Sequence, residues 1–397
     1  MSEYTDKIRA GEVKLYALEK ELPARDAVSV RRTYIEEETQ SSLDTVGTYT
    51  IPEEPAVFRN IENMIGCVQM PLGVAGPLSV NGEYADGSFW IPLATTEGAL
   101  VASINRGCSA ITKAGGAQCR IISDKMTRAP VFAAKSIVHA VDSARWAEDN
   151  FTILKKSAEL TTSHGKLTGL TTYTAGTNLY VRFEFDTKDA MGMNMATLAS
   201  EAAAKVLAEK TGVRLIAVSG NMCCDKKTSA INIVEGRGKT VTAGVFLSEE
   251  LVRTVFKTEA SLLAEANMRK NLVGSIRAAS FGANAHAANV IAALFIACGQ
   301  DAAHVVEGST CITTADVVEG GVYVSVTLPS LPVGTVGGGT SLPTQSECLS
   351  LLGCKGDGKA RKFAEIAASA VLAGELSLLG ALSAQHLGKA HKELGRG

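Results

Sequence analysis

Between Val131 and Val218 the chain runs through six segments whose order limits the folds open to it. VFAAKSIV is strand-like, SARWAEDNFTILKKSAEL has a helical period, KLTGLTTYTA and NLYVRFEF are two strands, MNMATL to VLAEK is a helix, and VRLIAVS is a strand. That β-α-β-β-α-β order is the ferredoxin-like arrangement. NLYVRFEF alternates, with Leu179, Val181, Phe183 and Phe185 on one face and Tyr180, Arg182 and Glu184 on the other. It leads into DTKDAMGMNM, where Gly192 and Asn194 stand at the start of the second helix. A glycine loop at a helix N-terminus exposes unpaired N–H groups and suits a pyrophosphate. The loop is not G-x-G-x-x-G, so a Rossmann fold is not expected.

At 397 residues the chain is too long for one core, and two or three domains are expected. Apolar residues make up 46%, which excludes a disordered chain, and a net charge of −2 gives no electrostatic case for a nucleic-acid partner. Nine scattered cysteines, odd in number and without C-x-x-C, point to a reducing compartment rather than a disulfide or zinc framework. The N-terminus lacks the apolar segment of a signal peptide, and the longest apolar run, Val290 to Cys298, is too short to span a bilayer. A cytoplasmic chain with no membrane contact is expected.

Just past the six-segment block, SGNMCCDKKTSAIN sets Asp225, Lys226 and Lys227 side by side between two β-prone runs, VRLIAV and INIVEG. A partly desolvated loop lysine is a strong partner for developing negative charge, although an isolated DKK triplet is more often a solvated turn. In TTEGALVASINRGCSAI, Thr95 or Thr96 is placed to cap a helix with Glu97 in its first turn. Asp301 falls in the C-terminal third of a long helical pattern, NAHAANVIAALFIACGQDAAHVV, where it needs a cationic or hydrogen-bonding partner if buried. LSEELVRTVFKTEASLLAEA reads as another helix, and GTVGGGT permits close backbone approach to a ligand. His386 and His391, five apart, sit about 140° apart on a helix and form no metal pair, so no metal is expected. A histidine near the chain end is commonly solvated, or it is a proton donor that closes over substrate.

The strings ENMIG, PLGVAGPL, ATTEG, INRG, MTR, DAMGMNM, SGNMCCDKK, KNLVGS, NAHAAN, CGQDAA, GTVGGGT and GELSLLGAL occur in one order from residue 60 onward. Together they resemble the 3-hydroxy-3-methylglutaryl-coenzyme A reductase family. The DAMGMNM form and an end soon after His391 resemble its NADPH-using class I members; the extra C-terminal flap domain of the other class is not expected. The resemblance implies an α+β fold. A small N-terminal helical domain (1–61) would precede a large substrate domain around a central helix (62–128 and 219–397), with a ferredoxin-like cofactor domain (129–218) inserted in it. It also implies a homodimer or dimer of dimers, ENMIG lying in the contact and the active sites at the subunit interface. Eukaryotic members carry a membrane anchor; none is expected here.

The implied catalytic residues are Glu97, Lys226, Asp301 and His391. Arg128, Ser219, Asp225, Lys227, Lys270 and Asn289 match substrate-holding positions, while Ser103, Asn105, Arg106 and Lys257 match positions near coenzyme A. Ser163, His164, Asp189, Met191, Gly192, Met193 and Asn194 match the nicotinamide-nucleotide site. Animal members have Ser-Arg where this chain has Ser163-His164, and histidine is a weaker partner for a 2′-phosphate near neutrality. The implied reaction is NADPH-dependent four-electron reduction of 3-hydroxy-3-methylglutaryl-coenzyme A to mevalonate and free coenzyme A, through a hemithioacetal and mevaldehyde, in isoprenoid synthesis. Each hydride leaves an oxyanion for Lys226 to stabilise. Glu97 would donate a proton to the aldehyde, and His391 would protonate the departing thiolate. A different reading is an acyl-coenzyme A hydrolase or transferase with Cys223 or Cys224 as nucleophile beside Lys226. That reading leaves the DAMGMNM and GTVGGGT loops without a purpose.

Overall fold

The computed structural model describes the backbone of residues 2–394 and the side chains of residues 3–384. Its ten strands are β1 (Leu72–Asn81), β2 (Asp86–Ala94), β3 (Ala117–Arg128), β4 (Val131–Ala133), β5 (Lys166–Ala175), β6 (Asn178–Asp186), β7 (Arg214–Ala217), β8 (Gly238–Ser248), β9 (Ile312–Val318) and β10 (Gly321–Leu331). The sequence block from 131 to 218 folds as its order predicts. β7, β4, β6 and β5 lie in that order across the sheet, every neighbouring pair antiparallel, with helices Ile137–Asp149, Phe151–Glu159 and Met193–Thr211 alongside. Leu179, Val181, Phe183 and Phe185 of β6 are buried with Phe132, Leu167 and the small residues Ala196, Ala199 and Ala203.

The opposite face of β6 is not open. Arg182 is fully buried there, its Nη2 donating to the Gly236 carbonyl at 2.7 Å, because the segment after β7 folds back across the sheet. Gly220 begins that return, donating its N–H to the Ala129 carbonyl at 2.7 Å. β3 joins the two halves of the sheet: its first part pairs with β8 and its last three residues, Met126 to Arg128, pair with β6. The two halves therefore meet along β3.

The larger core surrounds the helix Ala360–Leu394, whose Val371, Leu372, Leu376 and Leu379 are buried among β1, β2, β8 and β10 and the helices Leu100–Lys113 and Ala287–Ala297. The central helix can lie this close because small residues face its neighbours. A Cβ added at Gly374 would meet Val290 Cγ2 at 2.7 Å, and one at Gly107 would strike the Ala373 backbone. Two buried carboxylates tie loops to it. Glu365 accepts from the N–H groups of Glu83, Tyr84 and Ala85 in the β1–β2 turn. Glu375 accepts from Ala285 N, His286 N and Thr313 Oγ1. Over Ala360–Ala384 this helix is long and apolar enough to cross a membrane by composition, but most of that span is buried in the core. The expectation that no run reaches spanning length missed it because Glu365, Glu375 and serines interrupt the apolar string. Near the N-terminus, Val13, Leu18, Ala27 and Val30 make a small cluster of their own.

Several expected elements differ. INIVEG is a short helix, Ala230–Glu235, because the Ser229 hydroxyl caps the Asn232 N–H and outweighs the β-propensity of Ile and Val. VFAAKSIV keeps only three strand residues, since Ser136 caps a helix that starts at Ile137. The helix after it breaks at Asn150. The helix expected from 247 to 266 breaks at Lys257, which is left-handed with φ +58. Glu97 precedes its helix instead of opening it: the helix begins at Leu100, and Thr95 Oγ1 accepts from the Glu97 N–H at 3.0 Å in a turn. The Ala287–Ala297 helix stops before Asp301 because Gly299, at φ +66, turns the chain.

Candidate active site

The turn at Gly299 frees Asp301 to cap a new helical turn, Ala302–His304, its Oδ1 accepting from Ala303 N at 3.0 Å. Its other oxygen, Oδ2, receives the Lys226 ammonium at 2.8 Å. Lys226 is held in a left-handed conformation, φ +56, which a lysine adopts only under constraint. The constraint is buried Glu307, whose Oε2 accepts the Lys226 N–H at 2.9 Å. The hydrogen bond to Asp301 pushes the Lys226 ammonium above its ordinary pKa, so the group stands as a fixed cation. Burial alone would raise the Asp301 carboxyl, but Lys226, His304 and the Ala303 N–H outweigh it and hold Asp301 below the usual range.

Beneath this pair lies a network of charges. Asp225 Oδ1 accepts from Arg237 Nη2 at 2.9 Å and from His304 Nε2 at 2.9 Å, and its Oδ2 lies 3.5 Å from Arg128 Nη1. Arg237 is fully buried and its Nη1 also donates to Glu307 Oε1. Burial works against the Asp225 anion, yet the His304 hydrogen bond and the charges of Arg237, His304 and Arg128 prevail and keep its carboxyl well below the ordinary value. Glu307 goes the other way: burial raises it, and Arg237 only partly offsets that. Asp225, His304 and Glu307 place three ligand atoms within 4.8 Å of one another, but the Arg237 guanidinium already lies among them and supplies the countercharge.

The remaining matched residues are held by separate contacts. Glu97 Oε1 accepts from Asn289 Nδ2 at 3.3 Å, which links the ATTEG turn to the helix that leads to Asp301. Arg128 donates through Nε and Nη2 to Thr197 Oγ1 on the helix after DAMGMNM. Lys227 reaches only the Asp225 carbonyl, at 3.3 Å, and stays exposed. Lys270 is exposed on a π-helical stretch, Asn267–Gly274, anchored by buried Asn267 and Asn271. Ser103 Oγ and Arg106 Nε both meet Ser377 Oγ on the central helix, at 2.9 and 3.0 Å, while Asn105 accepts from the Gly76 N–H. Lys257 is exposed at its helix break. His391 lies outside the described side chains.

The nucleotide segments come together. Gly192, φ +89, caps the Met193–Thr211 helix, and a Cβ there would collide with Thr187. Gly165 packs under Met195, so exposed Ser163 and His164 lie over the first turn of that helix, beside exposed Asn194 and buried Met193. Gly334 of the GTVGGGT approach packs on the backbone at Met191, and Ala190 bridges to Val336. The helix N-terminus and its glycine cap fit a pyrophosphate. Asp189 is engaged elsewhere, since its carboxylate accepts from Gly358 N at 2.7 Å and Ala360 N at 3.0 Å and so fixes the start of the central helix.

Cys223 is poorly placed to act as a nucleophile. Burial raises the Cys223 thiol, but the Ser219 hydroxyl, 3.4 Å away, nearby backbone N–H groups and Arg128 outweigh it and leave it below its ordinary value. Its residue is nevertheless fully buried, so access decides against it. Arg237, His304, Glu307 and Thr197 belong to none of the motifs that mark the site in the sequence. The D-x-x-H-x-x-E spacing from Asp301 to Glu307 was the available signal, since every third residue returns to one side of a helix.

A lysine cation beside a carboxylate, at the edge of a ferredoxin-like unit with a glycine-capped helix, has the chemistry to stabilise an oxyanion and to receive an anion at the helix start. The model of the hydroxymethylglutaryl-coenzyme A reductase family matches residues 27–396. The chain is 55% identical to 3-hydroxy-3-methylglutaryl-coenzyme A reductase of Methanocaldococcus jannaschii over the whole of both chains. It is 44% identical to reductase 1 of Dictyostelium discoideum over 98% of this chain and 72% of that one. Among solved structures, the class II reductase of Streptococcus pneumoniae bound to NADPH in open conformations shares the fold, with a TM-score of 0.69 and 20% identity over 93% of this chain and all of that one. The chain belongs to the hydroxymethylglutaryl-coenzyme A reductase family.

Proposed function

We propose that the Lys226–Asp301 pair is the reacting centre of an NADPH-dependent reductase that converts 3-hydroxy-3-methylglutaryl-coenzyme A to mevalonate and free coenzyme A. The observation that carries this is the lysine cation held in a left-handed turn by Glu307 and aimed at Asp301. NADPH supplies the two hydrides when bound. Met191 to Asn194, with Ser163 and His164 over the same helix start, would hold it, and residues 129–218 are the domain that carries them. Lys226 stabilises the oxyanion that develops at each reduction, with its backbone fixed before the substrate arrives. Glu97, oriented by Asn289, protonates the aldehyde oxygen. Arg128, Ser219, Asp225, Lys227, Lys270 and Asn289 hold the acid end of the substrate, and Ser103, Asn105, Arg106 and Lys257 lie toward coenzyme A.

The assembly is a cytoplasmic homodimer or dimer of dimers. Support comes from an exposed apolar strip next to ENMIG, where Phe58, Ile61, Val68, Met70, Leu72 and Val74 all face outward. A strip of that length is usually covered by a partner.

His391 separates the two reductions. Collapse of the hemithioacetal releases a thiolate that re-adds unless protonated, whereas mevaldehyde has already lost its thiol. His391→Gln is therefore expected to lower turnover of the thioester by about 10² or more, the usual contribution of a general acid, and to leave reduction of added mevaldehyde much less changed. Equal losses in both assays remove His391 from that role. Absence of both activities in the native chain overturns the reductase reading itself.

A further inference from the structure

His304 stands between the two carboxylates that flank Lys226, with no exposed surface. Its Nε2 lies 2.9 Å from Asp225 Oδ1, and because a carboxylate can only accept, that nitrogen carries a proton. Its Nδ1 has no hydrogen-bond partner among the described residues and faces Asp301 Oδ2 at 4.0 Å. That is the same oxygen that holds the Lys226 ammonium at 2.8 Å. Glu307 Oε1 is 3.8 Å from Nε2, and Arg237 joins Glu307 to Asp225. The charged groups around the ring are thus Asp225, Asp301 and Glu307, with Arg237, Arg128 and Lys226 bound to those carboxylates.

We infer that His304 is a positioning residue for the reductase reaction, which receives Asp301 when Lys226 turns from it toward a substrate oxyanion. This rests on the reductase reading given above. An ammonium that leaves Asp301 strands a half-buried carboxylate, and a stranded buried acceptor opposes the movement. An Nδ1–H on the ring, 4.0 Å from the released oxygen, takes it up after a short shift while Nε2–H keeps Asp225. With Nδ1 unprotonated, its lone pair meets the carboxylate and the exchange is lost. His304 touches no substrate atom; it acts by letting Lys226 move.

Two amide variants divide the ring. Glutamine places its amide near the Nε2 position and reaches only the Asp225 end, whereas asparagine places one near Nδ1, facing Asp301. His304→Gln is expected to lower kcat about tenfold for both thioester and mevaldehyde, with KM for each substrate unchanged; tenfold is the scale of one charge-assisted hydrogen bond. The equal loss in both assays sets it apart from His391. His304→Asn should retain more turnover than His304→Gln. Rates superposable on the native ones overturn the inference, as does the reverse order of the two variants or a loss carried by KM. If glutamine prevents folding, the asparagine variant decides alone: it should keep KM and reduce both substrates in equal proportion, and any other pattern counts against His304. A native chain that reduces neither substrate fails the reductase reading, which is a separate outcome.

Discussion

Lys226→Ala is expected to lower NADPH oxidation by about 10²–10³ or more with either thioester or mevaldehyde, while thioester binding stays close to native. Each reduction converts a carbonyl oxygen into an alkoxide, and the charge appears only as the hydride arrives. A cation already held beside the reacting carbonyl meets that charge after no more than a short turn of its ammonium. Lys226 meets the requirement because three contacts fix it: the left-handed backbone, the Glu307 carboxylate on its N–H, and the Asp301 carboxylate on its ammonium. Asp301 also keeps it protonated, since the pair raises the lysine and lowers the acid. Arg128 and Lys227 lie in the same loop region, so charge for binding the substrate's acid end survives the mutation. Loss of binding with kcat intact would assign Lys226 to substrate capture instead. Near-native turnover would remove it from the chemistry.

The second large effect is on stability. Arg237→Leu is expected to destabilise the fold by about 3–5 kcal/mol, read as a lower denaturant midpoint. Arg237 and Glu307 have no exposed surface, and Arg237 is the cation that serves both Glu307 and Asp225. Leucine fills part of the space but leaves those carboxylates without it. The pH dependence has a definite sign. The folded Asp225 carboxyl is depressed, so its contribution is present above the unfolded value of about 3.9 and is lost as pH falls through the folded one. Glu307 is raised in the fold already, and without Arg237 burial acts on it with less opposition. A raised acid is destabilising where the unfolded chain is ionised, above about 4.3. The gap between variant and native chain should therefore widen from about pH 4 upward and narrow below it. A gap independent of pH would place the loss in packing and not in the ion network.

The two residues also mark where the sequence could be read and where it could not. The ferredoxin-like block was legible because its signals are local: period-two alternation in NLYVRFEF and helical patterns between strands survive folding unchanged. Lys226 and Asp301 could be singled out by their strings and residue type, and the fold brings them together. Alternation leaves Arg182 on an open face, because it says nothing of what later chain returns to cover that face. Arg237, His304 and Glu307 escaped because a buried charge is written like a surface one; only its partners, such as Glu307, 70 residues beyond Arg237, reveal it. Helix ends were the other weakness. Ser229 and Ser136 turned β-prone runs into helices with a single side-chain cap each. Gly299 ended a helix whose sequence pattern runs on to Asp301.

The central claim is that one site performs two hydride reductions on one thioester. Following NADPH oxidation and free thiol together in the native chain, with 3-hydroxy-3-methylglutaryl-coenzyme A as limiting substrate, tests it directly. The account predicts two NADPH oxidised for each thiol released, and no thiol release without NADPH. Thiol released with no NADPH consumed would contradict it and turn the site into that of a hydrolase or transferase.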